Sequence, residues 1–191
     1  PPPLDWNIAR GTMRVLRGAR GGRSIWLSIL GISWFFAAGA ILLSEFAPLA
    51  SGPLGAGPAV ATLFLLIFSV AIAVGSLLVN RLLGGEVSAR FVPYAALGMA
   101  LSMLDLSLSA SHFVPVTQGA DIAAFLATDG SVRVLFDLSF IALSGGIFIV
   151  PLYALLQSES PPGERAQTIA ANNIVNAAVA DVSRLASGRT V

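Results

Sequence analysis

A chain of 191 residues in which 55% are hydrophobic and only 11% charged has too little polar surface to clothe a water-soluble domain, which usually carries about 25% charged residues. Its formal net charge is +1, every strong base is an arginine and cysteine is absent. A basic field for nucleic acid, disulfide staples, thiolate metal sites and cysteine nucleophiles are therefore excluded, and the solvent of such a chain is mostly lipid.

The chain opens with an arginine-rich segment, residues 1–23, carrying Arg10, Arg14, Arg17, Arg20 and Arg23. Trp6, Met13 and Leu16 stand among these bases, so the segment has the composition of a helix lying on an anionic membrane surface. A basic flank that only fixes orientation is the stronger account, since it needs no separate role. The first apolar run is too long for a signal-peptide core of about 7–15 residues, and the opening Pro1–Pro2–Pro3 fits an internal piece of a longer chain.

A hydrocarbon core of about 30 Å takes about 20 residues of helix, and four runs have that length. Runs 24–43 and 60–79 contain no charge, run 91–110 is interrupted by Asp105, and run 134–156 by Asp137. A fifth stretch, 168–182, is apolar on one side and carries Asn172, Asn173 and Asn176, so it reads as a partial span. Residues 24–182 thus predict an all-α fold, a polytopic transmembrane helix bundle of four clear spans and an incomplete fifth, followed by a polar tail at 183–191. Soluble core helices are shorter and striped with polar residues, which these runs are not.

Topology follows from the arginines, because short cytoplasmic loops are enriched in basic residues. Arg10 to Arg23 precede the first span, and the 44–59 loop has Glu45 and no base. Arg81 and Arg90 bracket the next turn, the 111–131 loop has Asp121 and Asp129 without a base, and Arg165 follows the fourth span. The N-terminus is therefore expected in the cytoplasm and the chain in multi-pass orientation.

Charges inside spans are costly and point to function by default. By this topology Asp105 and Asp137 lie in the outer part of the membrane, where a structural latch and a substrate or proton site are both open. Arg133, one turn before Asp137, is placed to neutralise it at i, i+4. Gly145, Gly146 and Pro151 weaken one helix in mid-membrane, a device of transporter gates and also of kinked structural bundles. Ala71 with Gly75 and Gly98 with Ser102 are small-residue packing signals. Asn172 and Asn176 share a face, for a polar head group or for helix-to-helix hydrogen bonds. His112, Gln118 and their loop are expected to be solvated.

The segments LSILGISWFFAAGAILLSEF, FSVAIAVGSLLVNRLLGGEV, FVPYAALGM, DLSFIALSGGIFIVPLYALLQ and RAQTIAANNIVNA together resemble the major facilitator superfamily. They are most similar to the C-terminal half of bacterial lysophospholipid transporters and of the transporter domains fused to phospholipid acyltransferases. The resemblance runs from about Trp6 to Asn176. It implies that the arginine-rich segment is the central cytoplasmic loop, the four spans the seventh to tenth helices, and the partial span the start of the eleventh. Gly75, Leu77, Asn80 and Arg81 stand where the superfamily's cytoplasmic loop motif would recur, with Asn80 in place of its acid. The implied function is alternating-access transport of lysophospholipid or a related amphipathic lipid in the bacterial inner (plasma) membrane. The implied partners are membrane lipid, a missing N-terminal transporter half and a fused or neighbouring acyltransferase.

Such acyltransferases use a histidine and an aspartate separated by four intervening residues as base and orienter. Here His112 is the sole histidine and Thr117 stands at the aspartate's position, so no such pair exists. Nucleotide loops, zinc motifs and serine elbows are absent too, and the expectation is no enzyme, no metal and no cofactor. A small structural or assembly membrane protein without transport activity is the alternative.

Overall fold

The computed structural model of the protein describes residues 23–115 and 118–160, with residues 169, 173 and 176. Among the described residues every regular element is a helix: α1 (Arg23–Ser51), α2 (Pro58–Leu83), α3 (Val92–Ser111), the short α4 (Ile122–Leu126) and α5 (Ser131–Glu159). Four of them, α1, α2, α3 and α5, are long and apolar enough to cross a membrane. Each coincides with one of the four apolar runs, as it must where no water is present to pair with backbone groups and only a helix satisfies them within one segment. The partial fifth span falls almost wholly outside the described residues.

Helix ends depart from the run ends. α1 continues past Leu43 to Ser51, with Pro48 inside it, so residues 44–51 are helix and the connection shrinks to 52–57. Two things extend the helix. Phe46 and Ala50 are buried on its inner side, and the Ser51 hydroxyl and the Gly52 N–H bond back to the carbonyls of Ala47 and Pro48, each at 2.9 Å. At 1.5 Å per residue the 29 residues of α1 and of α5 span about 43 Å. That exceeds the hydrocarbon core, so both helices tilt or carry their ends beyond it.

α2 begins at Pro58, whose missing N–H costs nothing in a first turn, and stops at Gly84 in the left-handed conformation, φ 60°. The Arg90 guanidinium donates to the Leu82 carbonyl at 2.8 Å, placing a cation on the negative end of the helix.

Two compact units divide the chain, one from Ile41 to Val150 and one from the residues before Ile41 and from Pro151 onward. In the second, Ser24 Oγ donates to Glu159 Oε1 at 3.0 Å, and Ile29, Ile32, Leu152 and Leu156 are buried.

In the first, an aromatic cluster forms the core. Phe46 of α1 meets Phe64 and Phe68 of α2 edge-on at 6.1 and 5.6 Å, and Phe64 in turn meets Phe125 at 5.8 Å. Such edge-to-face pairs add to the area they bury. The connection 112–130, expected to be an ordinary solvated loop, instead folds α4 into this cluster. Asp121 caps α4 by accepting from the Ala124 N–H at 2.8 Å, Phe125 is 1% exposed, and Phe113 stacks on it at 6.0 Å. The same connection is stitched to the α1–α2 turn, with Gly57 N–H to Ala120 O at 2.8 Å and Gly119 N–H to Gly55 O at 2.7 Å. Both connections therefore lie at one end of the helices and 84–91 at the other.

Of the four long helices α5 is the most enclosed. Of its apolar window 56% is buried, against 22%, 17% and 22% for α1, α2 and α3, whose outer faces carry exposed Leu65, Leu66, Leu97 and Leu101 as a lipid-facing helix does. A methyl group on Gly75 of α2 would collide with the Leu143 carbonyl of α5, and one on Gly146 would collide with the Ile72 carbonyl and lie 2.6 Å from the Ser76 nitrogen. The two helices thus touch backbone to backbone, which only small residues permit.

Gly75→Ala is expected to lower stability by about 1–3 kcal/mol through overpacking. Gly39→Ala, where the added carbon meets no atom within 4 Å, should instead stabilise by about 0.5–1 kcal/mol through the helix backbone. Titration of the purified chain from mixed micelles into dodecyl sulfate measures both.

Candidate functional site

The densest polar group inside the apolar helices joins α3 to α5. Asp105, on the penultimate turns of α3, accepts two bonds from Arg133 in the first turn of α5, from Nε to Oδ2 at 3.0 Å and from Nη2 to Oδ1. Ser109, one turn after Asp105, donates to Asp137 Oδ2 at 3.4 Å. The Asp137 residue is 3% exposed, whereas the Arg133 and Asp105 side chains are 60% and 38% exposed. One helix end therefore carries a graded cluster, open at the arginine and closed at Asp137.

Arg133 bonds Asp105 on the neighbouring helix and not its i+4 neighbour Asp137. A base N-terminal to an acid is the weaker order for an i, i+4 pair, while the planar guanidinium fork matches both oxygens of a carboxylate facing it across the groove.

Of the other candidate residues, Gly146 is the α2 contact described above, and Gly145 is buried beside it. Gly98 of α3 faces the same part of α5, where an added methyl would lie 2.9 Å from Ser144 Oγ and 3.3 Å from the Phe140 ring. Pro151 is buried in α5, and the helix runs unbroken through 144–151 despite the hydrogen bond that proline removes. Asn176 is half-buried with its Oδ1 unpartnered, as is the Ser33 hydroxyl of α1. Asn172, Arg10, Arg14, Arg17, Arg20 and Arg165 lie outside the described residues. Arg23 opens α1, and Arg81 and Arg90 flank the 84–91 turn, at the end opposite the two stitched connections. Asp137 and Gly146 thus belong to one unit, Pro151 and Asn176 to the other.

No family model, curated protein or solved structure matches the chain.

Two features went unread in the sequence. Phe125 seals the helix end from within α4, and its signal was the aspartate three residues before the Ala124 N–H it caps, a helix start followed by apolar residues. His112 is exposed but not simply solvated, since its Nδ1 lies 2.9 Å from the Leu108 carbonyl and 3.1 Å from Ser111 Oγ. Among the described residues no group of three or more histidine, aspartate or glutamate side chains is arranged to hold a metal.

If the Asp105–Arg133 pair ties α3 to α5, then Asp105→Asn and Arg133→Gln each lower the thermal unfolding temperature of the purified chain. The exchanged pair, Asp105→Arg with Arg133→Asp, should recover part of the loss. Fluorescence-detected size-exclusion after heating reads the order, and an exchanged pair no better than its worse single variant removes the tie.

Proposed function

We propose that this chain is part of a membrane transporter of the major facilitator type, moving lysophospholipid or a related amphipathic lipid. In this reading α1, α2, α3 and α5 belong to the second six-helix half, and a first half completes the translocation path between repeats. The observation that carries it is the cluster of Asp105, Arg133, Asp137 and Ser109, because ionisable groups set into otherwise apolar spans are expensive to keep and mark substrate or ion pathways. The segment resemblance supplies the family and the substrate class. The partners in this reading are membrane lipid, the first transporter half and a fused or neighbouring acyltransferase, and the membrane is the bacterial inner one.

A static structural or assembly role has its own support. The backbone contact between α2 and α5 and the two-point Asp105–Arg133 bridge both fasten helices together without leaving a gap.

The decisive measurement takes the product of the whole open reading frame that contains this chain, in proteoliposomes loaded with fluorescent lysophospholipid, and follows extraction by external albumin. Transport above protein-free vesicles is expected, with Asp137→Asn reducing the rate at least several-fold while leaving the protein monodisperse. No transport by a monodisperse product would favour the assembly role.

Orientation has a separate test, since the chain has no native cysteine. With Arg81 and Arg90 on the cytoplasmic side, Gln118→Cys should react with an impermeant maleimide in intact cells and Ser88→Cys only after permeabilisation. Both positions lie in connections at opposite helix ends, and the reverse pattern inverts the topology.

A further inference from the structure

Where α3 and α5 run side by side, an ion pair stands at one end of an exposed apolar strip. Two contacts fix that strip, Asp105 with Arg133 near the helix ends and Gly98 beside the Phe140 ring seven residues further in. Positions 98, 101 and 105 on α3, and 133, 136 and 140 on α5, each follow the i, i+3, i+7 spacing of one helix face. The two helices point in opposite directions, so Leu101 and Phe136 stand at one level midway between the contacts. Leu101, Leu104, Phe136 and Phe140 are all exposed, and the two rings stack at 6.0 Å. The strip beside the ion pair is therefore an apolar surface about 10 Å long at 1.5 Å per residue.

Arg133 has donors left over. A guanidinium carries five N–H groups, of which Asp105 accepts two, and the other three have no acceptor among the described residues, on a side chain that is mostly exposed. In the first turn of a spanning helix such a fork lies at the depth of lipid head groups, whose phosphate oxygens match it. The charge around it restricts the head group. Asp105 and Asp137 outnumber the single arginine, and Asp129, four residues before Arg133, is exposed and adds a third carboxylate. A head group that is only anionic meets this excess of negative charge, whereas a zwitterionic one sets its phosphate on Arg133 and its ammonium towards the acids.

We propose that the α3–α5 seam is a binding site for a zwitterionic phospholipid, with its phosphate on Arg133 and a chain along Leu101, Leu104, Phe136 and Phe140. This goes beyond the transporter reading and does not rest on it, since a lipid held at the seam needs no translocation path.

The test places the full chain in phosphatidylglycerol nanodiscs with traces of three probes that carry the same photoreactive chain, a phosphatidylcholine, a phosphatidylglycerol and a diacylglycerol, and maps labelling by mass spectrometry. Labelling of α2 residues 65–78, which include exposed Leu65, Leu66 and Leu77, reports ordinary bilayer contact. Relative to that reference, the phosphatidylcholine probe should be enriched about ten-fold on 101–104 and 136–140, the worth of one charge-assisted bond, and the other two should not. Arg133→Gln should return the enrichment to the reference, with α2 labelling unchanged. If that variant does not fold, Asp129→Arg decides the matter, because it reverses a charge at an exposed position and should admit the phosphatidylglycerol probe to the seam. Unchanged selectivity in Asp129→Arg, or enrichment kept in a monodisperse Arg133→Gln, overturns the proposal. So does equal seam labelling by all three probes, as ordinary bilayer lipid would give, or none because a second copy or another segment covers the seam. Absence of lysophospholipid transport by the whole gene product would remove the transporter reading alone.

Discussion

The backbone contact between Gly75 of α2 and the Leu143–Gly146 stretch of α5 is the constraint from which the remaining geometry of residues 41–150 follows. Lipid chains are as apolar as leucine, so no hydrophobic gain draws helices together inside a bilayer, and close van der Waals approach takes its place. Gly98 and Ser144 bring α3 against the same part of α5. This second contact sets a register. Asp105 lies seven residues after Gly98, Asp137 seven before Ser144, and α3 and α5 run in opposite directions, so both acids stand about 10 Å from the crossing on the same side at 1.5 Å per residue. The glycine crossing thus brings the members of the polar cluster to one level, where the Asp105–Arg133 pair can close.

That dependence explains what could be read from the sequence and what could not. The four spans were legible because bilayer thickness imposes a length on each run separately, with no knowledge of neighbours. Asp105 and Asp137 were legible for the same reason, since a charge in an apolar run stands out alone. Their partners were not. The Arg133 fork chooses between a local acid and one 28 residues back, and sequence displays only the local option. Phe125 is buried by Phe64 and Phe113, which precede it by many residues, so α4 offered only its capping aspartate as a sign. The extension of α1 through Pro48 likewise depends on Phe46 and Ala50 finding a core.

Charge is distributed between the two ends of the helices in a way that serves local structure first. Arg90 caps the carbonyl end of α2 through Leu82 and rests 4.8 Å over the Phe91 ring, so its position is fixed by a helix dipole and an aromatic face. Asp121 is held at the opposite end as the cap of α4. A base at a helix C-terminus and an acid at a helix N-terminus are each favourable by themselves. In a bundle whose connections alternate ends, the same preferences also yield the charge asymmetry that orients a membrane protein.

The locked crossing also limits where this bundle can bend. A glycine pressed against a neighbouring backbone cannot act as a hinge without parting α2 from α5, so Gly146 is a poor pivot despite its composition. The two helices common to both compact units change units elsewhere, between Ala40 and Ile41 in α1 and between Val150 and Pro151 in α5. At the first point stands Gly39, whose surroundings are open and whose backbone is the least restrained of any residue. At the second, Pro151 removes the N–H that would reach the Ile147 carbonyl. Within residues 41–150 the crossing holds α2, α3 and α5 in one register, and the polar cluster with them.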